Sequence, residues 1–319
     1  MNLVRGIRQE GQEGPTSVLL QLKRSQKKEI FVNKILVCLM TLLCCSFSIA
    51  QSAIAAGADG NPDLAAAREA KLQAAQAEFH SSQATTTCSF NFSSGIDDFS
   101  LAYCVTANGN IPVLNAPSGF PLSAVEGAEG YGICDQTTGV AYSDFGGFGD
   151  TGNWLPATVV SQTPTSVRIA RTTSDGIWTL TQVITQAGGS RPIVMIAMTL
   201  KNNTAVSRFA WLLRYMDTDI AGVTINTFDF TRRGAGAWNS PGVVQGSVPI
   251  GLMIENLSDP QFQQAPLVQN TFRPPAPCNP FAAVTPAPLT FLDGSIVMAY
   301  QPLVPAQGTR TATLMYRPW

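Results

Sequence analysis

The sequence predicts an all-β protein, an antiparallel β-sandwich with a short helix ahead of it. Hydrophobic residues make up 45% of the 319 residues and charged residues only 13%, so the chain is able to bury a sizeable core. From Cys88 onward the helical period of apolar residues is missing, and by the middle of the chain a period of two is clear. Short polar segments typical of turns separate the apolar runs.

Residues 1–55 are predicted to form an N-terminal extension and a secretory signal peptide. Three lysines between residues 27 and 34 precede a largely apolar run, residues 35–50, and small residues follow at the spacing of a cleavage site. Cleavage is expected after Ala50 or Ala55, leaving no transmembrane span in the mature chain. An uncleaved anchor is the less favoured alternative, because a membrane span needs about 20 residues. The long extension suggests a second hypothesis, a true start codon near Val32.

Residues 56–87 are predicted to form a helical spacer. Asn61 suits the N-cap position, Pro62 the first helical position and Asp63 the positive end of the helix. An alanine-rich stretch then runs to His80, the single histidine of the chain. The remaining residues, 88–319, are assigned to one β-sandwich domain.

Three consecutive hairpins between residues 165 and 216 are the strongest structural prediction in this domain. Val194, Ile196 and Met198 fall on one side of a central strand, and turn signals such as Gly188-Gly189-Ser190 separate the runs. An outer-membrane barrel is the competing all-β fold, but Arg317 and Pro318 interrupt the alternation that its final strand needs. Residues 105–153 and 259–289 are predicted to be long irregular loops, rich in glycine and in proline respectively.

Four cysteines lie beyond the predicted signal peptide, and an exported chain with four cysteines is expected to form two disulfides. Three connectivities are possible. We favour Cys88 with Cys104, and Cys134 with Cys278. Four separate buried thiols are the alternative.

Charge and composition exclude several classes of function. The chain carries a formal net charge of −1, and from Cys88 onward it has 14 acidic residues against ten arginines and one lysine. Nucleic acid is therefore not expected as a partner, because that affinity comes from clustered basic residues. Without a histidine after His80, no Ser-His-Asp or Cys-His catalytic arrangement is available in the domain.

A glycine-rich segment, residues 142–154, combines the residue types that a glycan site uses. Aromatic faces stack on the C–H faces of sugar rings, and carboxylates accept hydrogen bonds from the hydroxyl groups. The predicted ligand-binding residues are Tyr142, Asp144, Phe145, Phe148, Asp150 and Trp154. The alternative is structural: the phenylalanines plug one end of the sandwich, and the glycines serve tight turns.

Asp217 and Asp219 are the predicted metal ligands, with Ca²⁺ as the possible ion. Acids two apart at a strand end point to the same side and offer the hard oxygens that Ca²⁺ prefers. Measured against a helix-loop-helix calcium loop, Ala221 and Phe228 stand where oxygen ligands belong. The alternative is therefore a strand exit in which Asp219 caps backbone amides and Arg214 pairs with a neighbouring residue.

The run from Val194 to Asn203, ending Thr-Leu-Lys-Asn-Asn, resembles strands in the large β-sandwiches of carbohydrate-handling proteins. Aldose epimerases, and the sandwich domains attached to some glycosidases, are similar in this strand ending. The resemblance covers one hairpin and implies that a large, supersandwich-like form is one option for the fold. Epimerases of that type use histidine, which this domain lacks, so their activity is not expected here.

The sequence therefore leads to an exported, non-enzymatic binding protein that is secreted, periplasmic or held at the cell surface. A glycan or a cell-surface component is the expected partner. A carbohydrate-active enzyme with paired aspartates is the first alternative, because two carboxylates suffice for glycoside hydrolysis. A structural or adhesive surface protein is the second.

Overall fold

The computed structural model describes residues 86–318 except 97–98, 118, 125–126, 188–192, 240–249, 259–262 and 286–287. The predicted signal peptide and spacer helix lie outside the described residues. Within them, no helix is long and apolar enough to cross a membrane.

The described residues form eighteen β-strands and two short 3-10 helices, Gly146–Phe148 and Ile220–Gly222. In chain order the strands are β1 (Cys88–Ser94), β2 (Leu101–Thr106), β3 (Val113–Asn115), β4 (Glu129–Asp135), β5 (Val140–Asp144), β6 (Thr158–Thr163), β7 (Ser166–Thr172), β8 (Trp178–Ala187), β9 (Ile193–Asn202), β10 (Arg208–Asp217), β11 (Asn226–Phe230), β12 (Gly234–Asn239), β13 (Gly251–Asn256), β14 (Gln263–Gln269), β15 (Leu289–Leu292), β16 (Ser295–Gln301), β17 (Leu303–Val304) and β18 (Thr309–Pro318).

These strands pair antiparallel in three sheets and form the predicted all-β sandwich. The large sheet has nine strands in the order β15-β11-β12-β13-β18-β9-β8-β7-β6. The second sheet has six, β14-β16-β10-β4-β5 with β17 paired to β10. A small sheet, β1-β2-β3, contributes further residues to the same core.

Two of the three predicted hairpins are present, β7 with β8 and β8 with β9. The third is wrong, because β10 crosses to the six-stranded sheet and pairs there with β4, β16 and β17 instead of with β9. β8 pairs over its whole length with β9, from Trp178 opposite Asn202 to Ala187 opposite Ile193. Val194, Ile196 and Met198 are fully buried on one face of β9, as the period of two predicts. Burial of each such side chain contributes about 1.5–3 kcal/mol to stability. A shift by one residue would expose all three, so the burial of this face fixes the register of the strand.

The six-stranded sheet is apolar on both faces, which creates two separate cores. On β10, Leu212 and Met216 belong to the main core, whereas Leu213 and Tyr215 belong to a second cluster. Because successive side chains of a strand point to opposite faces, the second cluster lies on the face turned away from the main core.

Both predicted disulfides are confirmed. Cys88–Cys104 joins β1 to β2, and Cys134–Cys278 joins β4 to the proline-rich segment after β14. The second bond closes a sequence separation of 144 residues, for which the chain-entropy model gives a stabilisation of about 5 kcal/mol.

The predictions of long irregular loops are wrong in part, because residues 105–153 contain β3, β4 and β5, and residues 259–289 contain β14. All seven residues of β4 are buried, including two glycines that hide the periodicity. A Cβ atom at Gly130 would collide with the backbone oxygen of Asp144, and one at Gly132 would lie 2.8 Å from Pro277. Glycine is therefore required there by close approach of neighbouring chain segments rather than by a turn.

Candidate functional site

The six predicted ligand-binding residues do not share one exposed surface. Tyr142 and Trp154 pack in the main core and Phe145 in the second cluster, with 1%, 8% and 1% of their surfaces exposed. Phe148, in the short 3-10 helix after β5, is half-buried against the second cluster. Ligand binding by this segment stays a prediction, and Phe148 is the ring in it best placed to contact a ligand directly.

The two predicted aspartates meet at one arginine that the sequence analysis did not select. Arg171, on β7, places Nη1 2.7 Å from Asp144 Oδ2 and directs Nη2 to Asp150. Its guanidinium carbon lies 5.2 Å from the centre of the Trp154 ring. Burial raises the pKa of Asp144, and the charge of Arg171 partly offsets that rise. A pair of carboxylates is thus assembled, but both are ion-paired with one arginine and largely enclosed.

A second buried ion pair lies within the six-stranded sheet, and hydrogen bonds link it to the nine-stranded sheet. Glu129 on β4 and Arg214 on β10 are fully buried, and Arg214 donates from Nε and Nη2 to the two carboxylate oxygens. Arg214 Nη1 lies 2.5 Å from Gln182 Oε1 on β8, and the Tyr316 hydroxyl on β18 donates to Glu129 Oε1 at 2.7 Å. Burial raises the pKa of Glu129, and Arg214 partly offsets that rise. This network bridges the sandwich.

Asp217 and Asp219 lie together at the end of β10, and a third acid joins them. One carboxylate oxygen from each of Asp217, Asp219 and Asp293 lies within 4.8 Å of the others. We call these three residues the acidic cluster. The first two are 4% and 7% exposed, whereas Asp293 is exposed. Asp293 was not predicted, because only the pairing of Asp217 with Ser295 brings it to this strand end. Calcium binding here stays a prediction.

The acidic cluster is linked to the proline-rich segment through Tyr215. Burial and then the charges of Asp217, Asp293 and Asp219 raise the pKa of Tyr215. Its hydroxyl therefore stays protonated and donates to the backbone oxygen of Phe272. The strand end and the loop that follows β14 are held together at this point.

Four aromatic rings, two exposed and two half-buried, lie over the second cluster, where the sequence analysis selected only Phe148. The Phe148 ring stacks on Phe272, with centroids 6.0 Å apart and planes at 28°. Trp211 meets Phe281 edge to face at 5.4 Å. Phe272 is 38% exposed and Phe281 is 46% exposed. We call these four rings, together with Arg273, the aromatic face.

The two ring pairs lie along one strand and one loop. Trp211 precedes Tyr215, the partner of Phe272, by four residues on β10, which corresponds to about 13 Å along the strand. Phe272 and Phe281 both belong to the proline-rich segment, which Cys278 attaches to β4 and whose Pro277 packs against Gly132. The favoured cysteine pairing was the sequence signal that would have placed this segment against the six-stranded sheet.

Comparison with known proteins finds similarity to solved structures alone. No family model and no curated protein sequence matches the chain. The chain is similar to a candidate aldose 1-epimerase from Escherichia coli K12, with 8% identity and a TM-score of 0.40 over 72% of this chain and 98% of that one. It is also similar to the heparan sulfate lyase HepC from Pedobacter heparinus, with 10% identity and a TM-score of 0.39 over 75% of this chain and 36% of the lyase. At these values the function has to be argued from the residues of this chain.

Proposed function

We propose that the protein is an exported, non-enzymatic β-sandwich protein that binds a glycan through the aromatic face. The observation that carries this proposal is the presence of two partly exposed aromatic pairs, Phe148 with Phe272 and Trp211 with Phe281, over the second cluster of the six-stranded sheet. Several flat apolar rings on one face suit an extended sugar chain, whose C–H faces stack on them.

The attachment of the proline-rich segment supports a preformed binding surface. Prolines restrict its backbone, the Cys134–Cys278 disulfide fixes it to β4, and Tyr215 fixes the carbonyl group of Phe272. A surface that is already ordered loses little conformational entropy when a ligand binds. The rings are therefore available without rearrangement of the domain.

Export belongs to the same proposal. The signal-peptide pattern of residues 1–55 and the two disulfides both suit an oxidising compartment outside the cytoplasm. A glycan ligand suits that location, whether the protein is secreted, periplasmic or held at the cell surface.

The ion pairs and the burial of Asp144 and Asp150 favour binding over catalysis. A glycosidase needs one carboxyl group free to donate a proton and a second free to attack or to activate water. Here both aspartates are ion-paired with Arg171, and Asp144 is only 1% exposed. Reducing-end release from a bound glycan that disappears in Asp150→Asn would shift the proposal to the enzyme alternative.

A glycan array followed by titration of the hits tests the proposal. Truncation of a ring at the centre of a binding surface commonly loses about 2 kcal/mol, so Phe272→Ala and Phe281→Ala are each expected to weaken binding about 30-fold. Phe230→Ala is the matched control, since Phe230 is 45% exposed on β11 of the large sheet. An array without hits, or hits that bind both variants as tightly as the control, would refute the proposal.

A further inference from the structure

We infer that the glycan is anionic and that Arg273 binds its carboxylate or sulfate group; this inference rests on the proposed function and specifies its ligand. The guanidinium carbon of Arg273 lies 5.5 Å from the centre of the Phe272 ring. Phe272 in turn stacks on Phe148. A sugar placed against these rings therefore meets a fixed positive charge at the edge of the same surface.

Among the described arginines that lie over aromatic rings, Arg273 is distinguished by exposure. Three described arginines lie over aromatic rings, and the other two, Arg171 and Arg214, are 7% and 0% exposed and bound to carboxylates. Arg273 is exposed, and no carboxylate of the described residues lies within 4.0 Å of its guanidinium. Its donors are thus open to an anion from outside the protein.

The chemistry of this arrangement matches an acidic sugar better than a neutral one. A guanidinium group offers parallel N–H donors that bind a carboxylate or a sulfate in bidentate fashion. The ring below restrains the side chain, and the Arg273 backbone amide donates to Thr271 Oγ1 at 3.1 Å. One residue of an acidic polysaccharide would place its C–H face on Phe272 and its anionic group on Arg273.

The acidic cluster acts against this ligand, and that effect is part of the inference. Its carboxylates raise the pKa of Tyr215, which contacts the backbone of Phe272, so their field reaches the loop. The attraction between Arg273 and the anionic group of the glycan must exceed the repulsion from the acidic cluster. Binding should consequently depend strongly on Arg273 and weaken as the salt concentration rises.

The test compares three polymers on the purified full-length protein: polygalacturonate, dextran sulfate, and polygalacturonate whose carboxyl groups have been reduced to alcohols. Wild type is expected to bind at least one anionic polymer more tightly than the reduced polymer. Arg273→Gln should weaken that binding about 10- to 100-fold, the range for a lost hydrogen bond to a charged group. Arg168→Gln, which removes an exposed arginine on β7 of the large sheet, should leave it unchanged.

The outcomes separate this inference from the proposed function. The anionic polymer that shows the loss in Arg273→Gln identifies the group, carboxylate or sulfate. If wild type binds the reduced polymer as tightly as both anionic ones, or if Arg273→Gln behaves like Arg168→Gln, the inference is overturned. The proposed function survives that result as long as Phe272→Ala still reduces binding. If wild type binds none of the polymers and no array glycan, both fail.

Discussion

Replacing Glu129 by glutamine should destabilise the protein far more than an ordinary surface substitution. Each carboxylate oxygen of Glu129 accepts from two donors: Arg214 Nε and the Tyr316 hydroxyl on Oε1, and Arg214 Nη2 and the Ile111 amide on Oε2. An amide group in place of the carboxylate turns one of these oxygens into a donor that faces two donors. It also leaves the fully buried charge of Arg214 without its counter-ion.

The expected loss in the free energy of unfolding is about 3–5 kcal/mol, the range for breaking a buried pair by removing one partner. For a domain of this size, 1 kcal/mol corresponds to about 2–4 °C, so the midpoint of thermal unfolding should fall by roughly 6–20 °C. Glu255→Gln is the control, because its ion pair with Arg317 is 3.3 Å long and both partners are partly exposed. That variant should lose less than about 1 kcal/mol.

Urea unfolding followed by circular dichroism measures both variants under the same conditions. The double variant Glu129→Gln/Arg214→Met should lose at least about 1 kcal/mol less than the two single losses added together, because it removes the unpaired charge. The reasoning is refuted if Glu129→Gln is no less stable than Glu255→Gln, or if the two substitutions in the double variant are simply additive.

Three further predictions concern calcium, the long-range disulfide and acid stability. Calcium at about 100 times its dissociation constant should stabilise wild type by about 2.7 kcal/mol, and EDTA should reverse this effect. Asp217→Asn should lose the effect and Asp229→Asn should keep it. An unchanged melting temperature of wild type in calcium would contradict the prediction. Cys278→Ser should destabilise the protein by up to about 5 kcal/mol and weaken glycan binding, which calorimetry and titration of the same sample would check. Burial favours the protonated form of Asp175, but hydrogen bonds from Thr173, Tyr142 and Ile177 outweigh it and lower the pKa. Ionised Asp175 therefore contributes to the free energy of unfolding above a pH of about 4, and this contribution is lost as the pH falls through the folded-state pKa of Asp175. Asp175→Asn should show a smaller acid-induced loss in urea titrations, and an identical pH profile would exclude this role.

Local pattern was sufficient to predict the fold where each strand has one buried face. In β8 and β9 apolar and polar residues alternate, and the turn residues between them are visible in the sequence. The pattern failed for β4, because its glycines and buried Glu129 are explained only by chain segments that pack on it. The period of two is informative only when one face of the strand meets solvent.

The candidate site was harder to predict, because the same residue types serve a glycan surface and a core. Tyr142, Phe145 and Trp154 have the composition of a binding loop, yet the sheets that cover them make them interior residues. Phe272 and Phe281 looked unremarkable within a proline-rich segment, and only the bond from Cys278 to β4 brings them onto the six-stranded sheet. Exposure, which decides between the two roles, is set by contacts distant in the sequence.

The pairing of charged side chains is likewise set by contacts distant in the sequence, and it distinguishes the arginine of the aromatic face from the buried ones. Arg171 meets Asp144 across 27 residues, and Arg214 meets Glu129 across 85, so neither pair could be recognised from spacing. Both arginines lie over rings, and burial commits each of them to a carboxylate partner inside the sandwich. Arg273 has the same ring contact but an exposed guanidinium with no such partner among the described residues. An arrangement that elsewhere in this molecule accompanies a bound carboxylate is therefore presented to solvent at Arg273, which is why an anionic ligand is the expectation for this surface.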